Sequence, residues 1–196
     1  MGSSAALSLF GVSLLVLVTV ARVRSDAVTL RRPAIMILTA GAVLAIIAAD
    51  RRGTPISVCA IVTLACVVVC AASDIETGLV FDQVTILATI AIVLGSILGR
   101  DMSVASIGAG TCAGSTLTLY AATRGRGIGI GDVKLSGVMG AGLGGLASLG
   151  ALGAAFVAGA VWAIPLLIFK RARPGDRVPF APFLAIGAMA SIALRW

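Results

Sequence analysis

The sequence predicts an all-α, polytopic transmembrane bundle of about eight spans (six at the least), and three observations carry that prediction. Of 196 residues, 59% are hydrophobic and only 12% are charged, and the mean hydropathy is +1.12. Soluble domains hold about 25% charged residues, so this chain lacks the polar surface to coat a globule. The apolar residues fall in runs approaching the ~20 residues that a helix needs to cross a bilayer, and short charged loops separate the runs. The bases in those loops are divided unequally between alternate connections. At this length one domain, residues 1–196, is expected.

Taken in order, the apolar runs are Ala5–Ala21, Pro33–Ala49, Ile56–Ala72, Val84–Leu98, Met102–Ala122, Val133–Leu149, Gly150–Phe169 and Pro179–Leu194. Met1–Val20 has no basic region ahead of it; Arg22 and Arg24 follow it instead. That polarity is wrong for a cleaved signal and right for a first helix whose N-terminus lies outside. Pro33 suits a first helical turn, where its missing N–H costs nothing. Pro165 is inside a run and predicts a kink. With these spans one side receives eleven bases: Arg22, Arg24, Arg31, Arg32, Arg124, Arg126, Lys134, Lys170, Arg171, Arg173 and Arg177. The other receives Arg51, Arg52, Arg100 and Arg195. The excess marks the first set as cytoplasmic and sends both termini outward. It also accounts for the net charge of +7 as topology determinants beside lipid, with no nucleic-acid partner.

Composition narrows the chemistry further. The chain has no histidine, which removes Ser-His-Asp triads, His-Glu-x-x-His zinc sites and imidazole relays. Cys59, Cys66, Cys70 and Cys112 form no Cys-x-x-Cys pair and sit in apolar runs, so they read as small buried hydrophobes. Catalysis must then use carboxylates, lysine or hydroxyls, and neither metal nor cofactor is expected.

Against that background one stretch stands out, Gly127-Ile-Gly129-Ile-Gly131-Asp132-Val-Lys134-Leu135. It delivers a carboxylate and an ammonium to the mouth of an apolar run, and ionisable groups at such places are functional candidates. Alone, a Gly-x-Gly-Asp tetrapeptide is a weak signal, because Gly-Asp is common in turns. A second acid strengthens it. Asp74 follows the third run at the same cytoplasmic boundary, in a loop read as Ser73–Gln83 that also holds Glu76 and Asp82. Asp26, Asp50, Asp101 and Asp176 each lie near an arginine and read as solvated loop charge, and Glu76 and Asp82 as facing water or headgroups. Two carboxyls sharing a proton can hydrolyse an amide: the ionised one takes a proton from water and the neutral one donates to the carbonyl. Gly129 and Gly131 would permit unusual φ values and close approach of a substrate backbone. Lys134 would contact substrate or hold the loop, or simply reach toward the headgroups. Gly110-x-x-x-Gly114 and Gly140-x-x-x-Gly144 would let helices pack closely.

These residues also carry a resemblance. Asp74-Ile-Glu-Thr-Gly-Leu-Val-Phe-Asp82-Gln-Val-Thr resembles the first signature of type IV prepilin peptidases, and Gly127–Leu135 resembles their second, Gly-x-Gly-Asp-x-Lys. Val178-Pro-Phe-Ala-Pro-Phe-Leu-Ala-Ile-Gly187 is similar to their C-terminal Pro-Phe-Gly-Pro-Phe segment. The three occur in the family's order, over about residues 56–190. The resemblance implies a Gly-x-Gly-Asp aspartic intramembrane protease with Asp74 and Asp132 as its catalytic pair. It implies cleavage of a prepilin or pseudopilin precursor, removing a short basic leader after a glycine at the cytoplasmic face of a bacterial inner membrane. Phe81 stands where the family has proline and Ala181 where it has glycine, which predicts altered loop shape. The paired Cys-x-x-Cys domain of the long family members has no counterpart here, so the chain resembles the short, peptidase-only forms without methyltransferase activity. Two other readings of the same acids are a proton-coupled small transporter and an inactive relative that binds pilin subunits.

Overall fold

The computed structural model describes residues 39–44, 46, 58–99, 102–125, 127–168 and 179–194. The first predicted span, most of the second, the side on which the N-terminus lies, and Asp26, Asp50, Asp101 and Asp176 fall outside them. Every regular element among the described residues is helical. Residues 39–44 and 46 are helical, and α1 (Val58–Thr77), α2 (Asp82–Gly99), α3 (Met102–Thr123), α4 (Ile130–Leu143), α5 (Gly145–Ile168) and α6 (Ala181–Leu194) follow.

α4 is the central helix, in contact with all five others; α3 also lies on α5 and α5 on α6, and α1 packs against α2, α4 and α6. Leu64, Val67, Cys70 and Ala71 of α1 join Leu135 and Met139 of α4 and Leu184, Ala185 and Ala188 of α6 in one apolar core. The four cysteines are free and buried, as small hydrophobes should be. The outer surface is apolar too: Leu87, Leu94 and Leu98 of α2 and Val157, Val161 and Trp162 of α5 are exposed. An apolar surface of that extent is a liability in water and costs nothing in lipid. α1 and the Gly145–Ile164 part of α5 are long and apolar enough to cross a bilayer; Asp82–Leu98 and Ala181–Leu194 are apolar but shorter.

Two boundaries differ from the sequence expectation. α1 runs past Ala72 to Thr77, so Asp74 sits in the last turns of a helix and only residues 78–81 connect to α2. Hydropathy places the end of a span at its first polar residues, but Ser73 and Asp74 are buried and continue the helix. The sixth and seventh runs are divided at Gly144, not after Leu149. Gly144 and Gly145 take φ of 68° and 45°, left-handed values that glycine adopts cheaply, and the Gly144 N–H closes α4 on the Gly140 carbonyl at 2.8 Å. Hydropathy passes smoothly over such a break because glycine is neither strongly polar nor apolar. α4 is thus 14 residues long, about 21 Å at 1.5 Å per residue, and shorter than a bilayer core.

Close helix packing is met by glycine, but only in part at the predicted positions. A Cβ on Gly108 would run into the Gly140 carbonyl oxygen and lie 2.9 Å from Gly144 Cα. One on Gly140 would strike the Gly108 carbonyl, so α3 and α4 touch backbone to backbone there. Gly110 and Gly114 face open space and take no part. One face of α3 reaches α4, and Gly110 and Gly114 are on the other. The buried Thr116 and Ser136 hydroxyls join the same two helices by a 2.7 Å hydrogen bond.

Candidate active site

Asp132 enters the fold as the third residue of α4, with Gly129 as N-cap in extended backbone at φ −81° and ψ 156°. The first N–H groups of a helix have no partner within it. The Asp132 carboxylate folds back to one that lies just before the helix, accepting from Gly129 N at 3.0 Å through Oδ2. Its Oδ1 is buried and has no hydrogen-bond partner among the described residues. A buried carboxylate oxygen without a protein partner is costly, and catalytic groups are among those in which it is tolerated.

Asp74 is held in a comparable way from much farther along the chain. Its Oδ2 accepts from Ala181 N at 3.2 Å, the first residue of α6, 107 positions away. Ala181 N–H is another donor left over at a helix start, and a carboxylate there is favoured by both hydrogen bond and helix dipole. The relative exposures of Asp74 and Asp132 are 9% and 8%. α1 and α4 pack directly, and the two acids are near enough for the charge of one to act on the other. Burial pushes the Asp132 carboxyl up to about 6; the Gly129 N–H opposes this and the Asp74 charge adds to it. Two carboxyls that interact in this manner titrate as a pair.

The remaining predicted residues are arranged around this pair. Gly129 is exposed, and a Cβ there would come 3.3 Å from Asp132 Oδ2. At Gly131 a Cβ would meet Val80 Cβ at 3.0 Å, so what approaches this glycine is the Val80 side chain of the chain's own 78–81 turn. Neither glycine has a positive φ; what matters at both is the missing side chain. Lys134 Nζ grips Asp82 at 2.8 and 3.0 Å, the two side chains 49% and 60% exposed. Asp82 thus faces water as expected, but as half of an ion pair, and Glu76 is half-buried. Leu79, Phe81 and Ile130 form exposed apolar points on the same turns. Among the described residues no three acids or cysteines are grouped as metal ligands would be.

The sequence model of the type IV leader peptidase family matches residues 61–164, more than half of the chain. The chain belongs to that family. No curated protein and no solved structure matches it significantly. Both Asp74 and Asp132 of this leader peptidase homologue are inside the matched segment, and the Val178–Gly187 segment is beyond it. That last segment nonetheless reaches the site, through Ala181. The sequence reading assigned no role to Ala181, because a backbone N–H leaves no signature in residue type. The available signal was positional: Pro179 and Pro182 bracket a helix start, and a helix start always offers unpaired donors.

Proposed function

We propose that this member of the type IV leader peptidase family is a membrane-embedded aspartic endopeptidase with Asp74 and Asp132 as its catalytic dyad. Its substrate is a type IV prepilin-like or pseudopilin precursor, and its site faces the cytoplasm of a bacterial inner membrane. The observation that carries this reading is the pairing of two buried carboxylates, each fixed by one backbone N–H, with the second oxygen of Asp132 left unpartnered.

The pair does its chemistry when it holds a single proton. The ionised carboxylate takes a proton from a water molecule, whose oxygen attacks the scissile carbonyl carbon. The protonated carboxyl donates to the carbonyl oxygen, giving a neutral tetrahedral diol. Collapse breaks the C–N bond as the amine leaves with a proton, so one water is consumed and the dyad returns to its starting state. An environment that raises one carboxyl toward neutrality is what this sharing requires. In Asp132, Oδ2 is occupied by Gly129 and Oδ1 is available for the shared proton. Gly129, exposed and without a side chain, leaves room for a substrate backbone to come up beside the Asp132 carboxylate. Leu79, Phe81 and Ile130 are exposed apolar side chains beside the two acids, suited to the helix that follows the leader.

The test is leader removal from a prepilin co-expressed with the wild type, Asp74→Asn and Asp132→Asn. Both variants are expected to lose processing while remaining folded. Processing at the wild-type rate by either one overturns the dyad.

A further inference from the structure

The Asp82–Lys134 ion pair is on the rim of the site, and no step of the hydrolysis uses it. It spans 52 residues of chain and joins the first residue of α2 to the start of α4. Nζ serves both carboxylate oxygens, so the contact has a defined geometry. A second contact lies beside it, where Val80 fills the space left by the absent side chain of Gly131. The turn carrying Val80 is itself braced from α1. Gly78 N–H donates to the Asp74 carbonyl at 2.9 Å, and Ser73 Oγ donates to the Leu79 carbonyl at 2.6 Å. Thr77 Oγ1 accepts from Leu79 N at 3.3 Å. The connection is therefore a short strap. One end is anchored on the backbone of Asp74, and the other is fastened to α4 on either side of Asp132, at Gly131 and Lys134.

We propose that the Asp82–Lys134 pair is a clasp that, with the Val80–Gly131 contact, sets the spacing of the two aspartates. Asp82 and Lys134 are then positioning residues, and Lys134 spends its charge on Asp82 and not on substrate. An exposed ion pair adds little to global stability. A misplacement of ~1 Å between reacting groups costs roughly 100-fold in rate, so the clasp acts on geometry. The kinetic part of this inference rests on the proposed dyad; the structural part does not.

The test measures both parts in the full-length protein. For cleavage of a prepilin peptide, Asp82→Asn and Lys134→Met should each lower kcat about 10-fold with KM within about two-fold. The double variant should be no worse than either single one. The exchange Asp82→Lys/Lys134→Asp should restore kcat to within about three-fold. In parallel, spin labels at Leu79→Cys and Ile130→Cys, both exposed positions, report the distance between the strap and the start of α4. That distribution should broaden in each single-charge variant and narrow again in the exchange. A raised KM in Lys134→Met with Asp82→Asn unaffected assigns Lys134 to substrate and overturns the clasp, as does an exchange that restores nothing. An unchanged distance distribution overturns it whether or not the protein cleaves. Wild-type-rate processing by Asp74→Asn refutes the dyad instead, and the distance measurement still decides the clasp.

Discussion

Replacing Asp132 by asparagine is expected to stabilise the folded protein at neutral pH while ending cleavage. The folded protein holds the Asp132 carboxyl near pKa 6, against an ordinary 3.8, chiefly through burial. A folded-state pKa above the unfolded one means that the folded state binds the proton more tightly. Stability is then greatest below about pH 4, falls as pH rises from about 4 to 6, and is level above that. Each pH unit is worth about 1.4 kcal/mol, so ionised Asp132 costs the fold up to about 3 kcal/mol at pH 7.5. Asparagine keeps an oxygen for the Gly129 N–H and carries no charge to desolvate. In a protein of this size about 3 kcal/mol corresponds to a rise of roughly 6–12 °C in Tm. The assay is thermal unfolding of wild type and Asp132→Asn in detergent micelles, at pH 4 and pH 7.5. The variant should be more stable at pH 7.5, the two should converge at pH 4, and prepilin processing by the variant should vanish. An Asn variant no more stable than wild type at pH 7.5, or one with the same advantage at both pH values, refutes the placement of Asp132 as a strained, buried acid.

Three further outcomes follow from the same contacts. Gly140→Ala places a methyl on the Gly108 carbonyl and Gly110→Ala places one in open space; the first should cost at least about 3 kcal/mol, as overpacking against unyielding backbone does, and the second should stay within about 0.5 kcal/mol in denaturant or thermal titration. Gly131→Ala drives a Cβ against Val80 at 3.0 Å, so it should shift the strap and reduce kcat of prepilin cleavage about 10-fold with a smaller loss of Tm than Gly140→Ala. Ser136→Ala leaves the buried Thr116 hydroxyl without its 2.7 Å partner across the α3–α4 contact and should cost about 1–2 kcal/mol, read as a lower Tm at an unchanged pH profile.

Much of the helical architecture was legible because its cause is local. Apolar runs specify helices in a chain with too few polar residues to form a soluble surface, and three of the expected runs, Val84–Leu98, Met102–Ala122 and Pro179–Leu194, coincide with helices to within two residues. The misplaced boundaries have a common origin. The break at Gly144–Gly145 depends on φ values that hydropathy does not register. The extension of α1 through Asp74 depends on burial of polar groups that hydropathy expects to be solvated. The glycine pairs show the same division: the Gly140 pattern and the Gly110 pattern look alike in sequence, yet only the first faces another backbone.

For the site, residue types and order alone picked out Asp74 and Asp132, since a chain without histidine has few other means of acid–base chemistry, and the leader peptidase signatures lie around those two acids. The sequence by itself therefore determined the helical class and the family, and it singled out the two acids on which the proposed function rests. Tertiary structure decided what holds them. Asp74 takes its donor from Ala181, 107 residues away, Gly131 is narrow for the sake of Val80, and the ammonium of Lys134 rests on Asp82. Each of these is a contact between segments distant in the chain, and two involve a backbone N–H or a missing side chain. Such contacts follow from how helices pack, which residue identity and local spacing do not encode.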